Sequence, residues 1–310
     1  MSPSTEFLFI GFQNVQLLNP VLFVFFLTIY ILTLFGNLLI IVLVAKVPSL
    51  KSPMYFFLTQ LSLSDILLTT NIVPKMLHVV INGGSTISVA ECITQFYFYG
   101  VSAAAESLLL TVMSYDRYLA ICKPLHYTSI MYFGLCVQLA LLCWFSSYIL
   151  MLCIVYLISN LIFCGPTMID HYFCDVEPIL DLSCSDHSMI DLSYFIQAIL
   201  FALIPFCFIL FSYISIFITI FQIPSTSGKQ KAFSTCSAHL IVVSTYYGTL
   251  ITIYMVPTKG GQSHEANKVI SLLYTVGIPF SNPFIYSLRN QDIKDAVKYT
   301  YDIYHRRLEL

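Results

Sequence analysis

The chain has 310 residues and a mass of 35.1 kDa; 58% of the residues are hydrophobic and only 10% are charged, against about one quarter charged in soluble domains. Fourteen Lys and Arg with sixteen Asp and Glu cannot cover the surface of a soluble protein of this length, so the main solvent is lipid. A net charge of −2 and a pI near 6.4 leave no basic footprint for nucleic acid.

Crossing about 30 Å of hydrocarbon takes roughly 20 apolar residues, and seven stretches meet that requirement. After an amino-terminal tail, 1–20, the first span covers 21–45 and carries no charge. No basic region precedes it and no small-residue cleavage site follows, so it is expected to be a first span that is its own targeting signal rather than a removable signal peptide. The second span, 54–80, contains Asp65 and Lys75, and the third, 92–117, contains Glu106. The fourth covers 132–158, the fifth 192–221, the sixth 232–256 and the seventh 268–288. The expected fold is therefore an all-α membrane protein, a seven-helix bundle over 21–289. A cytoplasmic amphipathic helix and tail at 290–310 follows, and no room remains for a catalytic domain.

Lys and Arg near the span ends set the orientation. One set of alternating loops holds 11 of them (Lys46, Lys51, Arg117, Lys123, Lys229, Lys231, Arg289, Lys294, Lys298, Arg306, Arg307), and the other holds 3 (Lys75, Lys259, Lys268). The amino terminus is thus expected outside and the carboxyl terminus inside, as in a multi-pass protein of the plasma membrane.

Of ten cysteines, six fall within spans or on the inner side, where reduced thiols are the default. Cys92 opens the third span, and Cys164, Cys174 and Cys184 lie in the outer loop between spans 4 and 5. Four cysteines allow three pairings. A bridge from Cys92 to the loop would draw it over the mouth of the bundle. Metal binding with His171 and His187 is the rival, but no CxxC or HxxxH spacing supports it. The same loop carries Asp170, Asp175, Glu177, Asp181, Asp186 and Asp191 and no Lys or Arg. It reads as a solvated lid, with a screen against anionic ligands as the sharper alternative. No Asn-x-Ser/Thr sequon occurs, so no N-glycan is expected.

An ionisable group at mid-bilayer is costly and points to function. Asp65 and Glu106 both sit near span centres with no basic residue at their depth. Two such carboxylates must bind a cation such as sodium, hold a proton, or be satisfied by Asn37 and nearby hydroxyls. Along span 3, Tyr99, Ala103, Glu106, Leu110, Met113 and Arg117 recur at helical spacing on one face. Its outer part is rich in small residues (Gly100, Ser102, Ala103, Ala104, Ala105), which serve close packing or leave space for a small ligand. Gln197 and Phe201 on span 5, and the Ser244 to Thr249 run on span 6, add aromatic rings and hydroxyls to such a cavity. Pro205, Pro279 and Pro283 interrupt helical hydrogen bonding within spans.

Particular strings then carry a resemblance. Gly36-Asn37, PMYFFL at 53–58, LSLSD ending at Asp65, MSYDRYLAICKPLHY at 113–127, KAFSTCSAHL at 231–240 and PFSNPFIYSLRN at 279–290 together span nearly the whole chain. With them the chain resembles the vertebrate olfactory (odorant) receptors, a branch of the rhodopsin-like G-protein-coupled receptors, and within that branch the tetrapod-type class. The resemblance implies a small volatile odorant as ligand, a heterotrimeric G protein of the stimulatory olfactory type as partner, and cyclic AMP as output. It implies that Asp116, Arg117 and Tyr118 form the inner switch of span 3, and Asn282, Pro283 and Tyr286 that of span 7. Asp65 and Glu106 are similar to the family's sodium or proton pair, sodium being the one candidate cofactor. Cys92 would pair with Cys174 and Cys164 with Cys184. The implied ligand set is Tyr99, Gly100, Ala103, Ala104, Ser107, Gln197, Phe201, Tyr247, Leu250, Ile251, Tyr254 and Thr275. Two departures stand out: the tail lacks the usual glycosylation sequon, and Tyr246 precedes Tyr247-Gly248 where phenylalanine is commoner.

Other classes fit less well. A transporter is expected to show internal repeats or paired broken helices, and neither is present. A light receptor needs a Schiff-base lysine within span 7, whereas Lys268 is at its outer rim and Val276 lies among apolar neighbours. An amine receptor needs a carboxylate in the outer part of span 3, where this chain has Tyr99. An enzyme needs a nucleophile or metal constellation, and no HExxH or GxSxG occurs.

Overall fold

A computed structural model describes residues 5–12, 17–164, 167–255 and 261–308, with side chains outside 231, 253–265 and 303–308. Helix α1 (Asn19–Lys46) opens on Pro20, where a missing N–H costs nothing, and ends on Lys46, whose charge suits a helix carboxyl end. Helix α2 (Pro53–Asn82) stops at Gly83, which takes the left-handed conformation (φ 67°) that glycine adopts without steric cost. Helix α3 (Val89–Cys122) starts three residues before the expected Cys92. The cause is a capping box, in which Glu91 N donates to Ser88 Oγ (3.2 Å) and Ser88 N donates to Glu91 Oε2 (3.1 Å).

A short inner helix α4 (Pro124–Ile130) leads to α5 (Phe133–Ser159); α6 (Val176–Leu180) lies in the outer loop. The fifth span is α7 (Ser188–Ala198), a π-helical turn (Ile199–Leu203) and α8 (Ile204–Gln222). The sixth lies in α9 (Thr226–Met255). The seventh is α10 (Gly261–Leu272), a second π-turn (Leu273–Gly277) and α11 (Ile278–Arg289), followed by α12 (Gln291–Leu308). Each π-turn is followed by Ile-Pro-Phe, at 204–206 and at 278–280. Proline offers no N–H, so the backbone register slips by one residue just before it.

Among the described residues, six helical stretches are long and apolar enough to cross a bilayer: Asn19–Lys46, Pro53–Asn82, Val89–Cys122, Phe133–Ser159, Ser188–Gln222 and Ala266–Arg289. They overlap six of the seven expected spans. The stretch expected at 232–256 lies in α9, which packs against α3, α8 and α11 and completes the bundle. Helix α3 is its axis, packed against α2, α5 and α8. Spans 1 and 7 meet closely where a β-carbon on Gly36 would lie 2.9 Å from Pro283 Cγ. Pro283 also lacks the N–H that a helix would donate to Pro279 O, and Asn37 Nδ2 donates to that carbonyl instead (3.2 Å).

The outer face is more ordered than a tail and a solvated loop. Strand β1 (Glu6–Phe9) pairs antiparallel with β2 (Ser85–Ser88), Glu6 opposite Ser88, and parallel with β3 (Met168–Ile169), Leu8 opposite Met168. This three-stranded cover buries Phe7 and Phe9. Disulfides Cys92–Cys174 and Cys164–Cys184 hold the loop to span 3 and to itself. Lys268, expected at the rim, is buried at 1% exposure, and its Nζ donates to Asp170 Oδ1 (2.6 Å) and Gly11 O (3.0 Å).

Candidate functional site

Beneath this cover, between α3, α5, the fifth span and α9, lies a cavity of about 170 Å³. Its wall includes Tyr99, Gly100, Ala103 and Ala104 from α3, Gln197 and Phe201 from the fifth span, and Leu250 from α9. The first four share a wall because helical periodicity stacks them, and the small side chains of Ala103 and Ala104 leave space beside Tyr99. Phe201 lies in the first π-turn and Tyr274 in the second, so both register slips border the cavity. Ser107 is one turn deeper, donating to Phe201 O and sharing a hydrogen bond with Tyr247 OH (3.0 Å). Thr275 is buried against Tyr172 OH (3.1 Å). Ile251 is half-exposed, and the Tyr254 side chain lies outside the described residues.

Further residues complete the wall, of which the sequence marks Tyr246, in the hydroxyl-rich run of span 6, and Asp175, in the acidic loop. Met151 of α5 covers Gly100 so closely that its Sδ would lie 2.7 Å from a β-carbon there. Phe96, Tyr194, Tyr246 and Tyr274 add aromatic surface. Asp175 enters from the outer loop next to Cys174, and it also lines a second chamber of about 210 Å³ directly outside the first. Burial pushes the Asp175 carboxyl up to about 6, although Val176 N donates to Oδ1 (2.7 Å) and favours its charged form. In the sequence Asp175 is one of the loop's six acidic residues, with nothing to single it out among them; Met151 has no signal.

At mid-depth, Asp65 accepts two hydrogen bonds from Asn282 Nδ2 (3.2 and 3.1 Å). Glu106 is close enough to Asp65 for their charges to interact. Glu106 Oε1, Asn37 Oδ1 and Tyr286 OH are buried with no hydrogen-bond partner among the described residues. A buried carboxylate oxygen without a donor fits a cation or a proton, so this donor set suits sodium chemically. Among the described residues, no group of three His, Cys, Asp or Glu is arranged for a metal elsewhere.

At the inner end, Arg117 is held by its neighbour Asp116: Nε donates to Oδ2 at 2.9 Å, and the second guanidinium nitrogen reaches the same oxygen. Tyr127 of α4 donates to Asp116 Oδ1 (2.8 Å). Tyr127 belongs to the same string as the arginine, but only the fold shows that it closes the pair. Tyr118 is half-buried and stacks on Tyr115. Asn282, Pro283 and Tyr286 are buried on the inner half of span 7. Arg117 borders an inner cavity of about 540 Å³ together with Thr235, Ala238, Arg289 and Asn290. Tyr213 of α8 and His239 of α9 share a hydrogen bond (2.6 Å) between the spans that flank it. Tyr55 OH donates to Asn290 Oδ1 (2.9 Å) and Asp292 Oδ2 (2.7 Å), tying α2 to the start of α12.

The family model described as "Olfactory receptor" matches residues 26–302. The human protein named olfactory receptor 10A7 is 46% identical over 296 residues, 96% of this chain and 93% of that protein. Human olfactory receptor 10A4 is 46% identical, covering 95% and 93%. Mouse olfactory receptor 1M1 is 43% identical, covering 95% and 94%.

Proposed function

The chain belongs to the olfactory receptor family, a multi-pass membrane family of receptors and not of enzymes, and we propose that it binds a small, mainly neutral volatile in the cavity between spans 3, 5 and 6. The observation that carries this reading is the shared cavity wall of Tyr99, Gly100, Ala103, Ala104, Gln197, Phe201 and Leu250. At about 170 Å³ it is smaller than the roughly 300–1,000 Å³ of sites for drug-sized ligands. Its mixture of apolar surface and a few polar groups suits a compact ligand oriented by one or two hydrogen bonds.

Binding favours the state in which the sixth span moves outward, because a ligand shifts an equilibrium only by its preference for one state. Arg117 then leaves Asp116 and faces the inner cavity, where a stimulatory olfactory-type G protein engages it and raises cyclic AMP. Asn282, Pro283 and Tyr286 accompany that change. Asp65 and Glu106 would hold a sodium ion or share a proton in the resting state, and the ion would supply the positive charge that no side chain at that depth provides. The protein works in the plasma membrane with its amino terminus outside, as the excess of Lys and Arg on the other side favours.

The test is a panel of volatiles applied to cells expressing the receptor with a cyclic AMP reporter. A response to one or a few compounds supports the reading. Silence to every compound with odour-independent ion flux overturns it.

A further inference from the structure

The cavity's polar groups differ in what they offer. Gln197 Nε2 donates to Leu150 O (2.8 Å), and Tyr246 OH donates to Ala103 O (3.1 Å), so these donors serve the backbone. Ser107 Oγ likewise donates to Phe201 O beneath the floor. Tyr99 and Ser271 present hydroxyls that can donate or accept. Asp175 differs from all of them, since a carboxylate only accepts. Its Oδ1 is engaged by Val176 N, and the side chain lines the inner cavity and the outer chamber alike. The outer chamber's other charged residues are Asp170, Glu177 and Asp181, with His171 among them. Asp170 is countered by Lys268. No Lys or Arg lines either chamber among the described residues.

We propose that Asp175 selects the ligand by its headgroup: the receptor recognises compact molecules that donate a hydrogen bond, alcohols, phenols and amines, and discriminates against carboxylates and acceptor-only analogues. This rests on the cavity being the odorant site and adds the chemical class that fills it. An anionic headgroup meets an acidic approach and then a carboxylate at the junction of the chambers, and an ether or aldehyde brings no donor to the carboxylate oxygen that Val176 N does not engage. Unpaired polar groups of this kind reject a ligand far more strongly than a missing methylene does. The aromatic residues Phe96, Tyr99, Tyr194 and Tyr274 line the cavity and suit an apolar body, and aromatic rings also attract an ammonium group.

The experiment compares, within straight-chain and benzyl scaffolds, the alcohol, amine, methyl ether, aldehyde and carboxylate. Each is scored by cyclic AMP response and by ligand-dependent thermal stabilisation of the purified full-length receptor, the second readout needing no G protein. In any responding scaffold the alcohol or amine should act at a concentration about 10- to 100-fold lower than the ether, the range of one hydrogen bond to a charged group. Asp175→Asn should flatten that order at equal surface expression. Asparagine caps a helix as well as aspartate does, so α6 keeps its start. An order led by ethers, aldehydes or carboxylates overturns the proposal while leaving the odorant site standing, and so does an order unchanged by Asp175→Asn. Silence in both readouts to every scaffold removes the odorant-site reading and this inference with it.

Discussion

Replacing Asp116 by asparagine should switch the receptor partly on without ligand. In the structure Asp116 is fully buried, takes two hydrogen bonds from the Arg117 guanidinium and a third from Tyr127 OH at 2.8 Å. Hydrogen bonds to charged groups contribute about 1.5–3 kcal/mol each. Losing one such increment from the resting state alone multiplies the resting-to-active constant by about 12- to 150-fold at 1.4 kcal/mol per decade. Starting from an active fraction of about 1%, within the usual range for a minor state, ligand-free activity rises to roughly 10–60% of maximum. Arg117 does not become a stranded buried charge, because it already borders the inner cavity. The assay is basal cyclic AMP normalised to surface receptor, with Tyr127→Phe as a milder variant that removes one bond and no charge. Basal signalling unchanged in both variants at normal surface expression would refute the idea that this cluster holds the resting state.

Arg117→Ala should abolish odorant-driven cyclic AMP while surface expression is retained; full signalling by that variant removes the arginine from the coupling mechanism. Cys92→Ser should lower surface expression, since a loop-closing disulfide contributes about 2–4 kcal/mol, and surface labelling at wild-type level would contradict the lid's structural role. If sodium occupies the Asp65 and Glu106 site, the purified receptor melts higher in sodium chloride than in choline chloride of equal strength, by about 1.4 kcal/mol of stabilisation at ten times the dissociation constant. Glu106→Gln should erase that difference; its absence in the wild type removes sodium from the site. Asp175 gives a pH signature: its native carboxyl is raised from 3.8 to about 6 by burial, so the native state holds a proton that the unfolded chain releases. Wild-type stability should therefore rise relative to Asp175→Asn as pH falls through about 6 and level off below 3.8, and a parallel melting profile for the two proteins would contradict it.

The parts legible in the sequence are those that lipid or helical periodicity dictates. Hydrocarbon demands long apolar runs, so the apolar stretches could be marked, but the helices run past them: α3 covers Val89–Cys122 against an expected 92–117, its start extended by the Ser88 and Glu91 cap, and α9 begins at Thr226 against an expected 232. The wall formed by Tyr99, Gly100, Ala103 and Ala104 follows from one helix face. Met151 and Asp175 complete the same wall from another helix and from a loop, and no local pattern links them to it. Strand β1 was illegible for a related reason: Glu-Phe-Leu-Phe is short, and its partners β2 and β3 are distant in the chain. Once that strand and the outer loop close over the bundle, Lys268 moves from an expected solvated rim into a buried ion pair.

The prolines connect these levels. Each reads as a break in a helix, and at Pro205 and Pro283 the break exposes a carbonyl that another span captures. Pro205 withholds the N–H that would reach Phe201 O, and Ser107 of span 3 donates to it. Pro283 withholds the N–H for Pro279 O, and Asn37 of span 1 donates to it. A buried carbonyl without a donor is costly, so these side chains stabilise the kinked form of their neighbours, and the spans are joined by hydrogen bonds where they are least regular. Ser107 is also bonded to Tyr247 OH, so spans 3, 5 and 6 meet at one hydroxyl directly beneath Phe201. Spans 5 and 6 are joined again farther inward by Tyr213 and His239, near Arg117. Polar contacts thus join the spans at two depths, Ser107 with Tyr247 beside the cavity and Tyr213 with His239 near Arg117.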